Sequence, residues 1–91
     1  MPVPPTYTTM DPACGEKDIG LIGNDIGNVM NVKSWDDCAC HCKNKPGCTF
    51  FSWTSSNFVA GRYYECWLKN SDAGRQYERG VFSGHVNCCV E

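Results

Sequence analysis

The chain has 91 residues, a formal net charge of −2 at pH 7 and eight cysteines. A chain of this length forms one small domain, whose core leaves only a narrow margin over the conformational entropy of the chain. Its charges are mixed and form no basic stripe, which argues against nucleic acid or heparin as a partner. The apolar runs are too short to cross a bilayer, so we expect no membrane insertion.

The cysteine content indicates the compartment. Eight cysteines in so short a chain are typical of extracellular domains that are held together by disulfides, and their even number allows four bonds. The first residues, MPVPP, lack the basic stretch and apolar segment of an export signal. We therefore expect this chain to be one module of a larger secreted protein.

The start of the chain differs in composition from the rest. Residues 1–13 carry four of the five prolines. Proline fixes φ and removes an amide donor, so this segment is predicted to be an extended, poorly ordered linker. The domain itself is predicted over residues 14–91. Within it, residues 19–32 mix apolar side chains with glycine and asparagine, which predicts two short strands joined by a turn.

A helix is predicted over residues 35–44. Ser34 can cap its first turn, and Asp37, three residues later, occupies the position of the acidic residue in a capping box. The Pro46-Gly47 pair then ends the helix. Four residues have the i, i+3, i+4, i+7 spacing of one helical face, namely Trp35, Cys38, Ala39 and Cys42.

Three more strands are predicted after the helix. CTFFSWTS (48–55) and RYYECWLK (62–69) are rich in aromatic and β-branched residues, and residues 80–88 are predicted to form the last strand. Loops are predicted at residues 56–61 and 70–76. Two aromatic side chains of the first strand alternate onto one face, and we favour this pair, Phe51 and Trp53, for the core.

The stretch CACHC (38–42) raises a choice between a metal site and disulfides. On a helix, Cys38 and Cys42 point the same way, whereas Cys40 lies about 200° further round the axis. Three thiolates arranged in this way cannot close on one metal ion, and the CxxC spacing of structural zinc sites is absent. We therefore expect neither a metal nor a cofactor, and the cysteines are assigned to disulfides.

Two disulfides follow from the predicted elements. Cys42 and Cys48 are separated by a short turn that can bring their sulfur atoms together. Cys66 occupies a core-facing position of its strand, where Cys38 can reach it and join the helix to the sheet.

The remaining four cysteines can pair in two ways. Cys88 and Cys89 are adjacent and face opposite ways in an extended chain, so they are expected to take different partners. Those partners are Cys14 and Cys40. Which of the two bonds to Cys88 and which to Cys89 stays open.

With these elements in order, the chain resembles the PAN/apple module over residues 14–89. The resemblance rests on a leading cysteine, a cysteine-bearing helix, an aromatic strand, a cysteine before a leucine–lysine pair and a late Ser-Gly. In this sequence these features are Cys14, SWDDCACHC (34–42), FFSW (50–53) after Cys48, CWLK (66–69) and VFSG (81–84). The resemblance implies an α+β fold in which a single helix packs on a curved antiparallel sheet of about five strands, stapled by disulfides.

The resemblance also bears on the disulfides. The two bridges that the family shares correspond to Cys38–Cys66 and Cys42–Cys48, in agreement with the pairing expected from the elements. Apple modules add an end-to-end bridge, which would join Cys14 to one of the last two cysteines. Cys40 and the doubled cysteine at the C-terminus depart from the family pattern and imply a fourth bridge.

The functional implication of the resemblance is a non-catalytic module that binds proteins or carbohydrates. The Pro/Thr linker and the extra cysteines look most similar to apple domains of microneme adhesins from apicomplexan parasites. That likeness implies a secreted, tandem module stored in a secretory organelle and used in host-cell attachment. The isolated domain is expected to be monomeric. Catalysis is not expected, because His41 and His85 are the only histidines and each cysteine has a disulfide partner.

The candidate contact surface lies in the predicted strand 62–69. If Cys66 points into the core, Trp67 and Tyr63 fall on the other face, beside Lys69 and Arg62. Aromatic and arginine side chains are favoured at recognition surfaces. The alternative is that the two aromatic rings only cover the second face or the edge of the sheet.

Two functions are compatible with these observations. The module either binds a protein or glycan on a cell surface, or it is a spacer that contacts neighbouring domains or another adhesin. An exposed apolar patch around Trp67 would favour the first function, whereas a polar surface with contacts near the termini would favour the second.

Overall fold

A computed structural model describes residues 15–58 and 61–89 of the chain. These residues form one helix, α1 (Trp35–Lys43), and a single-turn 3₁₀ helix (Val86–Cys88). They also form five strands, which are β1 (Gly15–Leu21), β2 (Asp25–Val29), β3 (Phe50–Thr54), β4 (Cys66–Lys69) and β5 (Arg75–His85). The predicted linker, residues 1–13, lies outside the described residues, so its boundary with the domain remains a proposal.

The five strands form one antiparallel sheet in the order β1-β5-β3-β4-β2. The helix packs on one face of this sheet, mainly against β3 and β4. This architecture confirms the predicted fold class. β1 and β2 correspond to the two strands predicted in residues 19–32, although β1 begins before that range, at Gly15. They lie at opposite edges of the sheet and do not pair with each other.

The position of β1 and β2 requires the sheet to curl. Four inter-strand spacings span about 19 Å in a flat sheet, whereas the four residue steps from Leu21 to Asp25 reach about 14 Å at most. The edges can meet this limit only if the sheet bends around one of its faces. In agreement, the Leu21 amide at the end of β1 donates a hydrogen bond of 3.2 Å to Ser52 Oγ on β3, beyond the intervening β5.

The helix begins where its sequence predicts. Ser34 has an extended backbone, and its Oγ accepts a hydrogen bond from the Asp37 amide, which satisfies a donor that the first turn leaves unpaired. Cys38, Ala39 and Cys42 are buried against the sheet.

Aromatic rings complete the core between helix and sheet. Phe51 is fully buried, and Trp53 is nearly so, as predicted for this pair. The Trp35 ring at the start of the helix stacks on Phe82 with 4.7 Å between ring centroids. The Trp53 indole nitrogen donates to the Val32 carbonyl at 2.7 Å, so the largest ring of the core has its polar atom satisfied.

Three disulfides connect the described residues, and two of them are the pairs expected from the sequence. Cys38 is bonded to Cys66, and Cys42 is bonded to Cys48. The third bond joins Cys40, on the outer side of the helix, to Cys89 after the 3₁₀ helix. All three bonds attach the helix to its surroundings.

The third bond also bears on the pairing that the sequence left open. Of the two alternatives, the one in which Cys40 bonds to Cys89 assigns Cys14 to Cys88. Cys14 lies outside the described residues, so the Cys14–Cys88 bond is a proposal.

Two strand predictions were wrong at their ends. The strand predicted over residues 62–69 begins only at Cys66, because Tyr64 has a φ of 63° and breaks the alternation of an extended chain. The loop predicted over residues 70–76 ends early, since β5 already starts at Arg75. Residues 86–88, predicted as the end of that last strand, form the 3₁₀ helix instead.

Candidate functional site

The sheet face opposite the helix carries buried polar side chains. The strand registers place Ser52 between Trp67 and Ser83, and Thr54 beside Val81, all on this face. We call it the concave face, because the sheet curls around it. The buried polar and charged residues of the described chain all lie on or beside this face, and they are Ser52, Thr54, Glu65, Lys69 and Ser83.

A cavity of about 240 Å³ opens on the concave face. Its apolar lining comes from the end of β1, the centre of the sheet and the loop after β3, and consists of Leu21, Ile22, Phe58, Trp67 and Val81. Its polar lining comprises Asp25, Ser52, Thr54, Arg62, Glu65, Lys69 and Glu78, so the β2 edge contributes a carboxylate. Apolar and aromatic side chains combined with polar groups are found in small-ligand sites.

Lys69 projects into this cavity from the end of β4. It is only 4% exposed, and its ammonium forms an ion pair with Asp25 and a hydrogen bond of 3.1 Å with the Gly23 carbonyl. A buried ammonium is costly unless it is paired, so Asp25 and Gly23 account for its presence here. The Asp25 side chain is itself nearly half exposed, which places this ion pair at the mouth of the cavity.

Glu65 fixes the orientation of the aromatic side chain. Its carboxylate accepts a hydrogen bond of 3.1 Å from the Trp67 indole nitrogen and another of 3.3 Å from Arg62 Nε. Its backbone amide donates to Thr54 Oγ1 at 2.8 Å. Because the indole edge is held by Glu65, the Trp67 ring keeps a defined position in the cavity wall.

A chain of hydroxyl groups closes the floor of the cavity. The Leu21 amide donates to Ser52 Oγ, which lies 2.7 Å from Ser83 Oγ, and Ser83 donates to the Ile19 carbonyl at 2.6 Å. Each hydroxyl in this chain therefore has a partner, as buried polar groups require. The chain also ties β1 to β3 and β5, and so maintains the curl of the sheet.

The structure brings three of the four predicted contact residues together. Arg62, Trp67 and Lys69 all line the cavity, with Trp67 half-buried and Lys69 fully buried. Tyr63 is half exposed, lies in the turn before β4 and packs edge-on against Tyr64, outside the cavity lining. It is separated from the others because the left-handed backbone of Tyr64 breaks the alternation that would have placed Tyr63 on the same face as Trp67.

Sequence reasoning did not assign a role to the acidic residues of the cavity. Glu65 alternates with Trp67 and Lys69 in RYYECWLK, so its shared face was visible in the sequence. Asp25 and Glu78 come from other strands, and only the order of strands in the sheet brings them to the same place.

The chemistry of the site is that of recognition. Among residues 15–58 and 61–89, no three histidine, cysteine, aspartate or glutamate side chains are grouped so that they could hold a metal ion. His41 lies exposed on the helix, and His85 Nδ1 accepts the Asn87 amide, so neither lines the cavity. The cavity offers an indole ring, hydroxyls, carboxylates and an ammonium, which together suit a ligand rich in hydrogen-bonding groups.

The described part of the chain contains no helix with the length and apolar character needed to span a bilayer. The three disulfides among the described residues indicate an oxidising, extracellular setting.

The fold and this cavity define a small disulfide-stapled binding module. A family model described as PAN domain matches residues 21–69, which are more than half of the chain. The chain therefore belongs to the PAN domain family, whose members are non-catalytic modules that bind proteins or carbohydrates. The matched residues run from the end of β1 to the end of β4 and include the ion pair of Lys69 with Asp25. No curated protein matches the chain.

Proposed function

We propose that this PAN domain is an adhesion module that binds a carbohydrate or protein group on a cell surface through the cavity of the concave face. The observation that carries this proposal is the Trp67 ring, held by Glu65 beside the ion pair of the buried Lys69 with Asp25. A preformed aromatic wall next to charged groups recognises both the apolar and the polar side of a sugar or side chain without reordering.

The wider biological setting is part of the same proposal. The chain resembles apple domains of apicomplexan microneme adhesins, of the microneme protein 5 type, in its Pro/Thr-rich start and its extra cysteines. We infer that it is one unit of a tandem array, released from a secretory organelle and used in attachment to host cells. The Cys40–Cys89 bond, which ties the C-terminal turn to the helix, supports a module that stays rigid within such an array.

An architectural role is the second candidate. It is favoured by three large exposed side chains that lie outside the cavity lining, Met30, Tyr63 and Tyr77. In this alternative the module contacts a neighbouring domain or another adhesin, and the cavity has no ligand.

The two candidates are separated by a pair of matched aromatic variants. Trp67→Ala removes the ring from the cavity, and Tyr63→Ala removes an exposed ring outside it. Both variants, checked for folding by near-ultraviolet circular dichroism, are compared with the native chain for binding to host cells and to a panel of surface glycans. The adhesion proposal expects Trp67→Ala to lower binding at least about tenfold, equal to about 1.4 kcal/mol, while Tyr63→Ala stays close to native. Weaker binding in Tyr63→Ala, with native binding in Trp67→Ala, contradicts the adhesion proposal and supports the architectural role.

A further inference from the structure

A second concavity lies on the helix side of the sheet, beside the junction of β1 with β5. We propose that this groove is an additional binding site for a short acidic saccharide, held by Lys17 and Arg79. It is distinct from the cavity of the concave face and does not depend on the ligand proposed for that cavity. Its volume, about 720 Å³, is within the range of small-ligand sites.

An irregularity in the strand pairing creates the groove. Lys17 pairs with Phe82, whereas Ile19 pairs with Tyr77, so a single β1 residue faces four residues of β5. Asp18, the β1 residue at this break, has a φ of 64°, and its carboxylate accepts the Gly80 amide at 2.9 Å. The extra β5 residues interrupt the β1–β5 pairing, as at a β-bulge, while Val81 remains paired with Thr54 of β3.

Gly80 allows a loop to form the other wall of the groove. A Cβ at this position would lie 2.5 Å from the backbone of Phe58, so only glycine permits the loop to approach so closely. The Gly80 carbonyl accepts both the amide and the hydroxyl of Ser55. The loop residue Asn57 consequently faces β5 across the groove.

Two unpaired cations give the groove its charge. Lys17 and Arg79 both line it, both are exposed, and neither has an ion-pair partner among the residues that the structure describes. Arg62, Lys69 and Arg75, in contrast, each pair with a carboxylate. The groove lining contains one carboxylate, that of Asp18, which accepts a hydrogen bond from the Gly80 amide. Because Lys17 and Arg79 outnumber this carboxylate, the lining has an excess of positive charge and is complementary to an anion.

The side chains around these cations favour a saccharide. The Tyr77 ring, 69% exposed, lines the groove and can stack on the face of a sugar, and Asn57 offers an amide for hydroxyl groups. Arg79 can bind a carboxylate or sulfate with two parallel hydrogen bonds.

An acidic peptide strand is disfavoured because the groove offers no open sheet edge. Residues 81–85 of β5 pair with β3, and most of them also face β1. The carbonyl of Gly80 is likewise occupied by Ser55. A peptide that binds by strand addition needs free backbone groups, and here the recognition groups are side chains.

The test uses the complete 91-residue chain and isothermal titration at low ionic strength. The probes are a sulfated heparin disaccharide and sialyllactose, with lactose as the neutral control and hexaglutamate as the peptide control. Binding of either acidic saccharide, with lactose at least about tenfold weaker, supports the proposal and identifies sulfate or carboxylate as the anion. Equal binding of lactose, binding of hexaglutamate alone, or no binding overturns it.

Charge-neutral variants locate the binding. Lys17→Gln and Arg79→Gln are each expected to weaken the acidic saccharide about tenfold. Lys45→Gln is the matched control, because Lys45 is also an exposed lysine without an ion-pair partner in the described residues and lies outside the groove. An equal loss of affinity in Lys45→Gln would show that the saccharide is attracted nonspecifically by surface cations, and it would overturn the proposal. Trp67→Ala is expected to retain binding of the acidic saccharide. The proposal for this groove can therefore be disproved independently of the proposal for the cavity of the concave face.

Discussion

The two faces of the sheet use neighbouring residues of one strand in opposite ways. On β4, Cys66 and Leu68 face the helix and belong to the apolar core, whereas Trp67 and Lys69 face the cavity. Beneath the helix, the sheet is covered by disulfides and stacked rings. The concave side is held by ion pairs and a chain of hydroxyl groups, and it leaves an opening.

This difference shows how a very small domain can maintain a preformed cavity. A core of this size gives little stability beyond the entropy that folding removes, and a polar cavity reduces it further. The disulfides compensate because they restrict the unfolded chain and need no additional apolar surface. The covalent bonds on one face therefore allow the other face to remain open and polar.

The largest expected effect concerns the helix side. Replacing Cys38 and Cys66 together by alanine removes a disulfide between two fully buried residues. We expect the free energy of unfolding, measured by guanidinium denaturation, to fall by roughly 2–5 kcal/mol. The control is the corresponding double variant of Cys42 and Cys48, whose bond spans a sequence separation of 6 against 28 and should therefore cost less. A greater loss in the control would contradict the importance assigned to the Cys38–Cys66 bond.

The next effect concerns the concave side. Glu65→Ala removes the acceptor of the Trp67 indole and of Arg62, and we expect the free energy of unfolding to fall by about 1–3 kcal/mol. Glu16→Ala is the control, because it breaks an ion pair with Arg75 whose two side chains are about half exposed. That change should cost at most about 1 kcal/mol. Equal costs for the two variants would mean that the concave side has the energetics of an ordinary surface.

The smallest effect concerns the hydroxyl chain. Ser83→Ala removes the donor to the Ile19 carbonyl and a partner of Ser52, which should lower stability by about 1 kcal/mol. Because this chain ends at the Leu21 amide, hydrogen exchange of that amide should accelerate more than that of the helix amides. Unchanged protection of Leu21 would show that the curl of the sheet does not depend on the hydroxyl groups.

The elements that depend on local chemistry could be predicted from the sequence. The helix follows from the Ser34 cap and the spacing of its apolar residues, and the core positions of Phe51 and Trp53 follow from alternation. The left-handed backbone of Tyr64 could not be predicted, since it opposes the preference of a bulky residue. It shortened β4 and separated Tyr63 from the cavity.

The features that depend on long-range contacts could not be predicted from the sequence. Lys17 and Arg79 are far apart in the chain, so the sequence shows no basic stripe there, and only the β1–β5 pairing brings the two cations to one groove. The partner of Lys69 could not be predicted for the same reason, because Asp25 is distant in sequence and only the pairing of β2 with β4 places it opposite Lys69.

The central claim, that the cavity of the concave face is the recognition site, is tested most directly by amide chemical shifts. The ¹⁵N-labelled chain is titrated with the methyl glycosides of the common neutral hexoses, and every resolved amide is followed. Recognition by this cavity predicts saturable shifts at Ser52, Trp67 and Lys69, with little change in the helix, residues 35–43. Shifts that are confined to the helix or to the turn at Tyr63, or no shifts with any hexose, would contradict carbohydrate recognition by this cavity.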